Sequence, residues 1–413
     1  MMPSMKRPLP INLVSAALLL AASPLACAFS EGDGDSTASD SASASEPGAT
    51  DTTATTDTGT TTGTSSGTST ETDESTGTST TTTSASSTAT TRTTSTTSTT
   101  GTTSTGTSTT GDPPDDLLTL DHIQVKGTHN SYHIEPPLPF DDSHKYTHAS
   151  LDVQLGEQGV RAFELDVHQG FGGFEVYHIS VIDSVSSCDA FTDCLEIIQS
   201  WSEEHALHLP IAIWIEIKDS TGGLPIDASD LDLIDDDIRS VFSEEQLLSP
   251  DDIQGDAPSV RAALEESGWP TIAELRGQVY FVLLNDDQKS EDYTYGFTNT
   301  EGRAMFARVG VDDFAAPWAA IAKLGIDDMP AIDAAHGAQI LIATNVCGAG
   351  DDDDTCFADL ENAKTRGLHM LKDDFPAPVE GQDYFMDLAD GNPARCNPIT
   401  APPECTSVAL EDL

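Results

Sequence analysis

Hydrophobic and polar positions change rhythm repeatedly between residues 117 and 390. Eight short runs rich in Val, Ile, Leu and Phe lie near 122–128, 160–166, 174–179, 210–217, 278–284, 304–310, 338–345 and 369–374. Each is bounded by turn residues and is largely apolar without clean alternation, which reads as a strand covered on both faces. Between these runs the spacing lengthens. Cys194-Leu195-Glu196-Ile197-Ile198 running on to Trp201 repeats apolar residues at three and four, the stripe of an amphipathic helix. Strand followed by helix, repeated to eight strands, predicts an α/β fold of the (β/α)8 TIM barrel type. The second and third runs are too close for a full helix between them, so the barrel is expected to be irregular.

The N-terminal quarter shows neither rhythm. Lys6 and Arg7 precede an apolar run from Ile11 to Ala22, too short for a permanent membrane span and typical of an export signal. The next residues, Ser23-Pro24-Leu25-Ala26-Cys27-Ala28, leave two endings open. One is cleavage beside the small residues Ala26 and Ala28. The other is lipidation of Cys27, as in bacterial lipoproteins, although Pro24 stands where that pattern usually carries Leu. Residues 1–28 are a signal peptide on either reading, and the protein is expected to be exported, either secreted or anchored at the cell surface. Residues 31–110 hold 52 Ser or Thr, ten acidic residues, one basic residue (Arg92) and no aromatic, so 29–112 is expected to be a disordered Ser/Thr-rich linker. About 80 flexible residues reach on the order of 50 Å, a spacer for a lipid-anchored domain or, without an anchor, a free tail. The barrel then occupies 113–390 and a C-terminal tail 391–413.

Charge narrows the partners. The 413 residues carry 18 Lys and Arg against 69 Asp and Glu, a formal net of −51, and residues 111–413 alone keep 15 basic and 59 acidic side chains, a net of −44. Such a chain repels phosphate backbones, which excludes a nucleic-acid partner, and it disfavours anionic lipid unless a cation bridges. Apart from Cys27, the cysteines fall in three close pairs, Cys188/Cys194, Cys347/Cys356 and Cys396/Cys405. In an exported chain these read as local disulfides. Zinc is the weaker reading, because no pair has two-to-four-residue spacing with clustered histidines.

The polar residues that interrupt the apolar runs sit where chemistry would be. A barrel carries its active site at the C-terminal ends of its strands, and the early runs end in His129-Asn130, Glu164-x-Asp166, His178, Glu216-x-Lys218 and Asn285-Asp286. Glu164 and Asp166, two apart, share one face of a strand, a costly pairing unless a cation neutralises it. Asn130, Glu164, Asp166 and Glu216 offer only oxygen, which suits Ca2+ or Mg2+. Lys218, on the same face as Glu216, is placed to contact a phosphate oxygen.

Gly127-Thr128-His129-Asn130-Ser131-Tyr132, the segment Leu155 to Val167 with its Gly159-Val160-Arg161-Ala162-Phe163-Glu164-Leu165-Asp166, and Tyr177-His178 resemble the Ca2+-dependent phosphoinositide-specific phospholipase C family, in its bacterial secreted branch. The resemblance covers most of 117–377 and ends at Asp373-Asp374-Phe375-Pro376, similar to the family's closing strand. It implies His129 and His178 as the catalytic histidines, and Asn130, Glu164, Asp166 and Glu216 as ligands of Ca2+ (Mg2+ being the less favoured ion). It implies a phosphoric diester hydrolase acting on a phospholipid or a soluble phosphodiester; the protein is expected to be a monomer, with the membrane surface within reach if Cys27 is lipidated. Glycerophosphodiester phosphodiesterases and sphingomyelinase D-like enzymes share the same residue types and stand as alternatives, though the former usually open with His-Arg-Gly where this chain has His129-Asn130-Ser131. A catalytically dead calcium-binding surface module is the non-enzyme alternative, and a purely structural surface protein gives no reason for polar strand ends. Gln278 lies where similar sequences often carry a basic residue, which puts binding of extra ring phosphates in doubt.

Other polar residues have plainer readings. His168 is expected to be structural or to support the site from behind, and His144 and His148 to lie on the surface. Asp351–Asp354 reads as a solvated acidic loop before a cation site, and Asn285 and Asp286 as a turn.

Overall fold

The computed structural model describes residues 115–219, 225–286, 288–388, 393–407 and 410–411. The export signal, Cys27 and the whole Ser/Thr-rich linker lie outside them. Among the described residues ten strands are formed: β1 (Ile123–Thr128), β2 (Ala162–Gln169), β3 (Phe174–Val176), β4 (Ile211–Ile217), β5 (Val279–Leu283), β6 (Met305–Ala307), β7 (Ile321–Lys323), β8 (Leu341–Cys347), β9 (Met370–Asp373) and β10 (Ala394–Cys396). Eight run in the order β6-β5-β4-β2-β1-β9-β8-β7 with parallel pairing throughout, and a bridge between Arg308 and Ile321 brings the two ends together. This is the TIM-like barrel that the apolar rhythm predicts.

Two of its members differ from the expectation. The run at 174–179 is not a barrel strand: β3 folds back antiparallel on β2, Val167 opposite Val176, and caps the mouth as a hairpin. The eighth barrel strand is instead β7, only three residues long. A strand that short, set among alanines at 319, 320 and 322, leaves no run rich in Val, Ile, Leu and Phe to recognise.

The expected amphipathic helix spans Phe191–Glu204, and its Phe191, Cys194, Leu195, Ile198 and Trp201 are buried. The β1 and β2 backbones approach so closely that a Cβ on Gly127 would stand 2.9 Å from the Ala162 Cβ and 3.0 Å from the Lys372 Cγ. The glycine of the quoted motif is therefore a packing requirement. All three cysteine pairs are bridged. Residues beyond 391 do more than trail: β10 pairs antiparallel with β1, and Glu411 reaches under the barrel to Arg161. Arg161, 1% exposed, gives Nε to Glu411 Oε2 at 3.0 Å and Nη1 to the carbonyls of Leu155 and Val160, with its guanidinium 4.8 Å from the Trp201 ring. Among the described residues no helix is long and apolar enough to cross a membrane.

Candidate active site

Strand register assembles the site. β2 and β4 pair with Asp166 opposite Glu216 and Glu164 opposite Trp214, so Asp166 and Glu216 stand level on adjacent strands with Glu164 one same-face position earlier on β2. One oxygen from each of Glu164, Asp166 and Glu216 lies within 4.8 Å of the others. Lys218, whose amide holds the Val167 carbonyl at 2.9 Å, turns its ammonium back to Glu216 Oε1 at 2.9 Å and Asp166 Oδ2 at 3.4 Å. Burial works against that charge, but Asp166 and Glu216 outweigh it and hold the ammonium above its usual range. Across the barrel Lys372, from β9, is fully buried and pairs with Glu164 Oε2 while lying 5.0 Å from the Trp214 ring.

On the other side, β1 and β9 pair with Thr128 opposite Asp373, which makes His129 and Asp374 neighbours one step beyond the strands. His129 Nδ1 meets Asp374 Oδ1 at 3.1 Å, leaving Nε2 towards the carboxylates, 3.7 Å from Glu164 Oε1. Asn130 is buried with φ of 42°, a left-handed conformation that Asn tolerates better than most residues, and the Tyr132 hydroxyl lies 3.5 Å from its Oδ1. Burial, and then the nearby Asp166 charge, push the Tyr132 phenol well above its ordinary range, so Asn130 and Asp166 flank one hydroxyl.

His178 comes after the β3 hairpin rather than ending a barrel strand. Its Nδ1 meets Asp183 Oδ2 at 2.7 Å. A tight turn makes this contact: Ile179 and Asp183 exchange backbone hydrogen bonds around Val181, which adopts φ of 75°. Asp183 is fully buried and also faces His133 Nε2 at 2.9 Å. Burial alone would raise its pKa, but the hydrogen bonds to His133 and His178 outweigh it and depress the carboxyl below the ordinary range. Tyr146 links the halves of the mouth. It stacks on His133 at 4.1 Å, and its phenol, raised first by burial, also feels the charges of Asp374, Asp166 and Asp183.

Several expectations are corrected here. His144 and His148 are not on the surface but buried, at 6% and 4% exposure. His148 Nε2 meets the His129 carbonyl at 2.8 Å and burial lowers its pKa to about 4, so it backs the site as a neutral ring. Gln278 precedes β5 at the end of the barrel away from the site, with its side chain on the Glu245 carbonyl, so it bears on no ring phosphate. His168 stacks on Tyr177 at 3.8 Å with Nε2 on the Tyr177 carbonyl, a packed position as expected. Asn285 brackets the Ile217 amide and carbonyl as a chain turn, and Asp352 caps the helix Asp353–Thr365.

A family model described as phosphoinositide phospholipase C, Ca2+-dependent, matches residues 118–172 and 170–398. The chain belongs to this family. No curated protein matches the chain well enough to count as a relative. Among solved structures, the calcium-dependent phosphoinositol-specific phospholipase C of a Pseudomonas species is 19% identical over 69% of this chain and 97% of its own, with a TM-score of 0.50. The Ca2+-dependent phosphatidylinositol-specific phospholipase C of Streptomyces antibioticus is 17% identical over 63% of this chain and 95% of its own, again at 0.50. What is shared at these identities is the fold.

The donor set of this phospholipase C family member suits the family's ion. It is all oxygen, as Ca2+ prefers, and among the described residues fully buried Asp166 has only the Lys218 ammonium, 3.4 Å from Oδ2, against its charge, with no well-formed hydrogen bond to either oxygen. Three carboxylates against two ammonium groups leave the cluster a net negative charge that a divalent cation offsets. The residues that sequence reasoning missed are Asp374, Asp183, His133 and Lys372. Asp374 was legible as a polar strand end like the others. Asp183 carried no signal, because only the turn at Val181 returns it to His178.

Proposed function

We propose that this family member is an exported phosphodiesterase of the phospholipase C type, cleaving phosphatidylinositol or a related phosphodiester. The observation that carries the reading is the pairing of two histidines, each backed by its own carboxylate, with a cluster of three converging carboxylates. Asn130, Glu164, Asp166 and Glu216 would hold the Ca2+, which when bound supplies positive charge against the anionic phosphodiester. His129, with Nδ1 held by Asp374, takes the proton from the inositol 2-hydroxyl through Nε2 as that oxygen bonds to phosphorus. His178, with Nδ1 held by Asp183, gives a proton from Nε2 to the diacylglycerol oxygen as its bond to phosphorus breaks. The products are a cyclic inositol phosphate and diacylglycerol. Lys218 is placed to pair with a phosphate oxygen once its carboxylate partners are engaged elsewhere.

Three disulfides support export into an oxidising compartment, in agreement with the N-terminal apolar run. A lipidated Cys27 would tether the barrel near a membrane. The net of −44 over residues 111–413 favours a soluble phosphodiester as the second substrate reading, because an anionic lipid surface repels this domain. The purified protein assayed against phosphatidylinositol, glycerophosphodiesters and sphingomyelin, with and without Ca2+, separates these. Release of cyclic inositol phosphate is expected. Release of only glycerol or choline products would assign the chain a neighbouring phosphodiesterase activity, and Ca2+ binding without turnover would leave the dead-module reading.

A further inference from the structure

The cluster behind His178 is built from different atoms than the carboxylate cluster. One ring nitrogen each of His133 and His178 and an Asp183 oxygen all lie within 4.8 Å of one another, and His144 Nδ1 stands 3.7 Å from Asp183 Oδ2. We propose that His133, His178 and Asp183, with His144 at the edge, form a second cation site, for a first-row transition ion of the zinc class and distinct from the oxygen site at Glu164, Asp166 and Glu216.

The tautomer of His133 is the first reason. Its Nδ1 lies 3.0 Å from the Tyr146 carbonyl, which can only accept, so Nδ1 carries a proton. Nε2 then donates to Asp183 only if the ring carries a second proton; in a neutral ring it turns a lone pair on both Asp183 oxygens, at 2.9 and 3.0 Å. His133 is 1% exposed and Asp183 fully buried, so water does not screen that repulsion. A cation between them removes it. A backbone carbonyl behind a histidine, with the opposite nitrogen aimed at an acidic partner, is how proteins orient imidazole ligands.

The second reason is His144. It is only 6% exposed, and its Nδ1 has no hydrogen-bond partner although it is directed at Asp183. Bonds of about 2.0–2.1 Å from zinc to nitrogen and oxygen put donors about 3.3 Å apart in a tetrahedral site. The distances from the Asp183 oxygens to His178, His133 and His144, 2.7, 2.9 and 3.7 Å, bracket that value. Imidazole-rich sites of this kind suit zinc, copper or nickel and not Ca2+. An ion on His178 Nδ1 would replace the Asp183 contact that holds the ring in the reaction above, so bound zinc is expected to lower turnover.

The competing account places a proton where the ion would be, making His133 an imidazolium. Calorimetric titration of ZnCl2 into the chelator-treated full-length protein, with Ca2+ saturating, separates the two. One equivalent of zinc is expected to bind with an affinity that Ca2+ does not change. His133→Ala and His144→Ala should each weaken it about tenfold or more. Glu164→Gln and Asp166→Asn should leave it unaltered. If a histidine variant folds poorly, Co2+ added to the unaltered protein reports directly, and the intense visible bands of a tetrahedral site are expected. No stoichiometric zinc binding, binding that survives both histidine substitutions, displacement by Ca2+, or an octahedral Co2+ spectrum would each overturn the site.

Discussion

His129 and Asp374 sit 245 residues apart in sequence, yet their side chains meet at 3.1 Å. The contact exists because β1 and β9 are neighbours in register, each residue lying one step past a paired Thr128 and Asp373. Asp374 also accepts the Ala349 amide at 2.7 Å, so its carboxylate is held on both sides.

Asp374 should therefore act through the imidazole. Asp374→Asn is expected to lower kcat by about ten- to a hundredfold with KM nearly unchanged, less than the 10²–10⁴-fold typical of losing the proton-transfer group in His129→Ala. Ca2+ affinity should stay constant in both. Full activity in His129→Ala protein would overturn the site.

The carboxylates should fail in another way. Glu164→Gln or Asp166→Asn removes a ligand charge, so Ca2+ affinity measured by calorimetry and turnover should drop together, with partial recovery at high Ca2+. Excess chelator should abolish activity in the unaltered protein. Turnover that persists in chelator would remove the ion from the reaction.

A buried ion pair under the barrel gives a prediction about stability. Glu411→Ala leaves the Arg161 guanidinium enclosed without its carboxylate, and the backbone amide of Leu209 loses its acceptor at the same time. Removing one partner of such a pair costs about 3–5 kcal/mol. Urea unfolding should show the loss in the midpoint; a shift no larger than that of a surface substitution would mean that the tail is not docked.

Acid should weaken the fold through His369. This ring is buried below β9, its Nδ1 accepting the Ile342 amide at 3.0 Å and its Nε2 facing the Asp121 carbonyl, with the His336 ring 5.6 Å away and His122 adding positive charge when protonated. Burial lowers its pKa from 6.5 to about 3. The unfolded chain then binds the proton more readily, so stability falls as pH drops through this window, by up to about 1.4 kcal/mol per pH unit from this one group. His369→Gln should flatten the slope of unfolding free energy between pH 7 and pH 5. An unchanged slope would place the acid sensitivity in other groups.

Reduction should lower the melting temperature. The Cys347–Cys356 bridge joins the end of β8 to the helix Asp353–Thr365, and a loop of this size is worth about 2–3 kcal/mol in the chain-entropy account. Six free thiols in protein from an oxidising compartment would refute the pairing.

Much of this molecule was legible in its residues, and the reasons for the rest are physical. Strands buried on both faces advertise themselves as apolar runs, and the Glu164-x-Asp166 pair declares itself by its cost. Short elements do not: β7 has three residues, and β3 imitates a barrel strand in composition while pairing antiparallel. His144 and His148 look like loop residues in sequence, because nothing local says that the β1 loop folds back over the mouth and encloses them. The carboxylates behind the two histidines depend on register and on a left-handed turn at Val181, which composition does not encode.

The ring of strands is stitched unevenly. Between β6 and β7 it is joined through the Arg308–Ile321 bridge and the Val309 amide on the Ile321 carbonyl, whereas β2 and β4 share a six-residue register. Thermal opening should begin at that seam, where amide exchange is expected to be fastest and few hydrogen bonds must break. In the strand order the seam lies on the arc opposite β1 and β2. β1 and β2 register at one pair, Gly127 and Ala162, but the Ser131 amide on the Glu164 carbonyl and the Arg161 amide on the Lys126 carbonyl fasten them, so the barrel can breathe at the seam while Glu164, Asp166 and His129 keep their places.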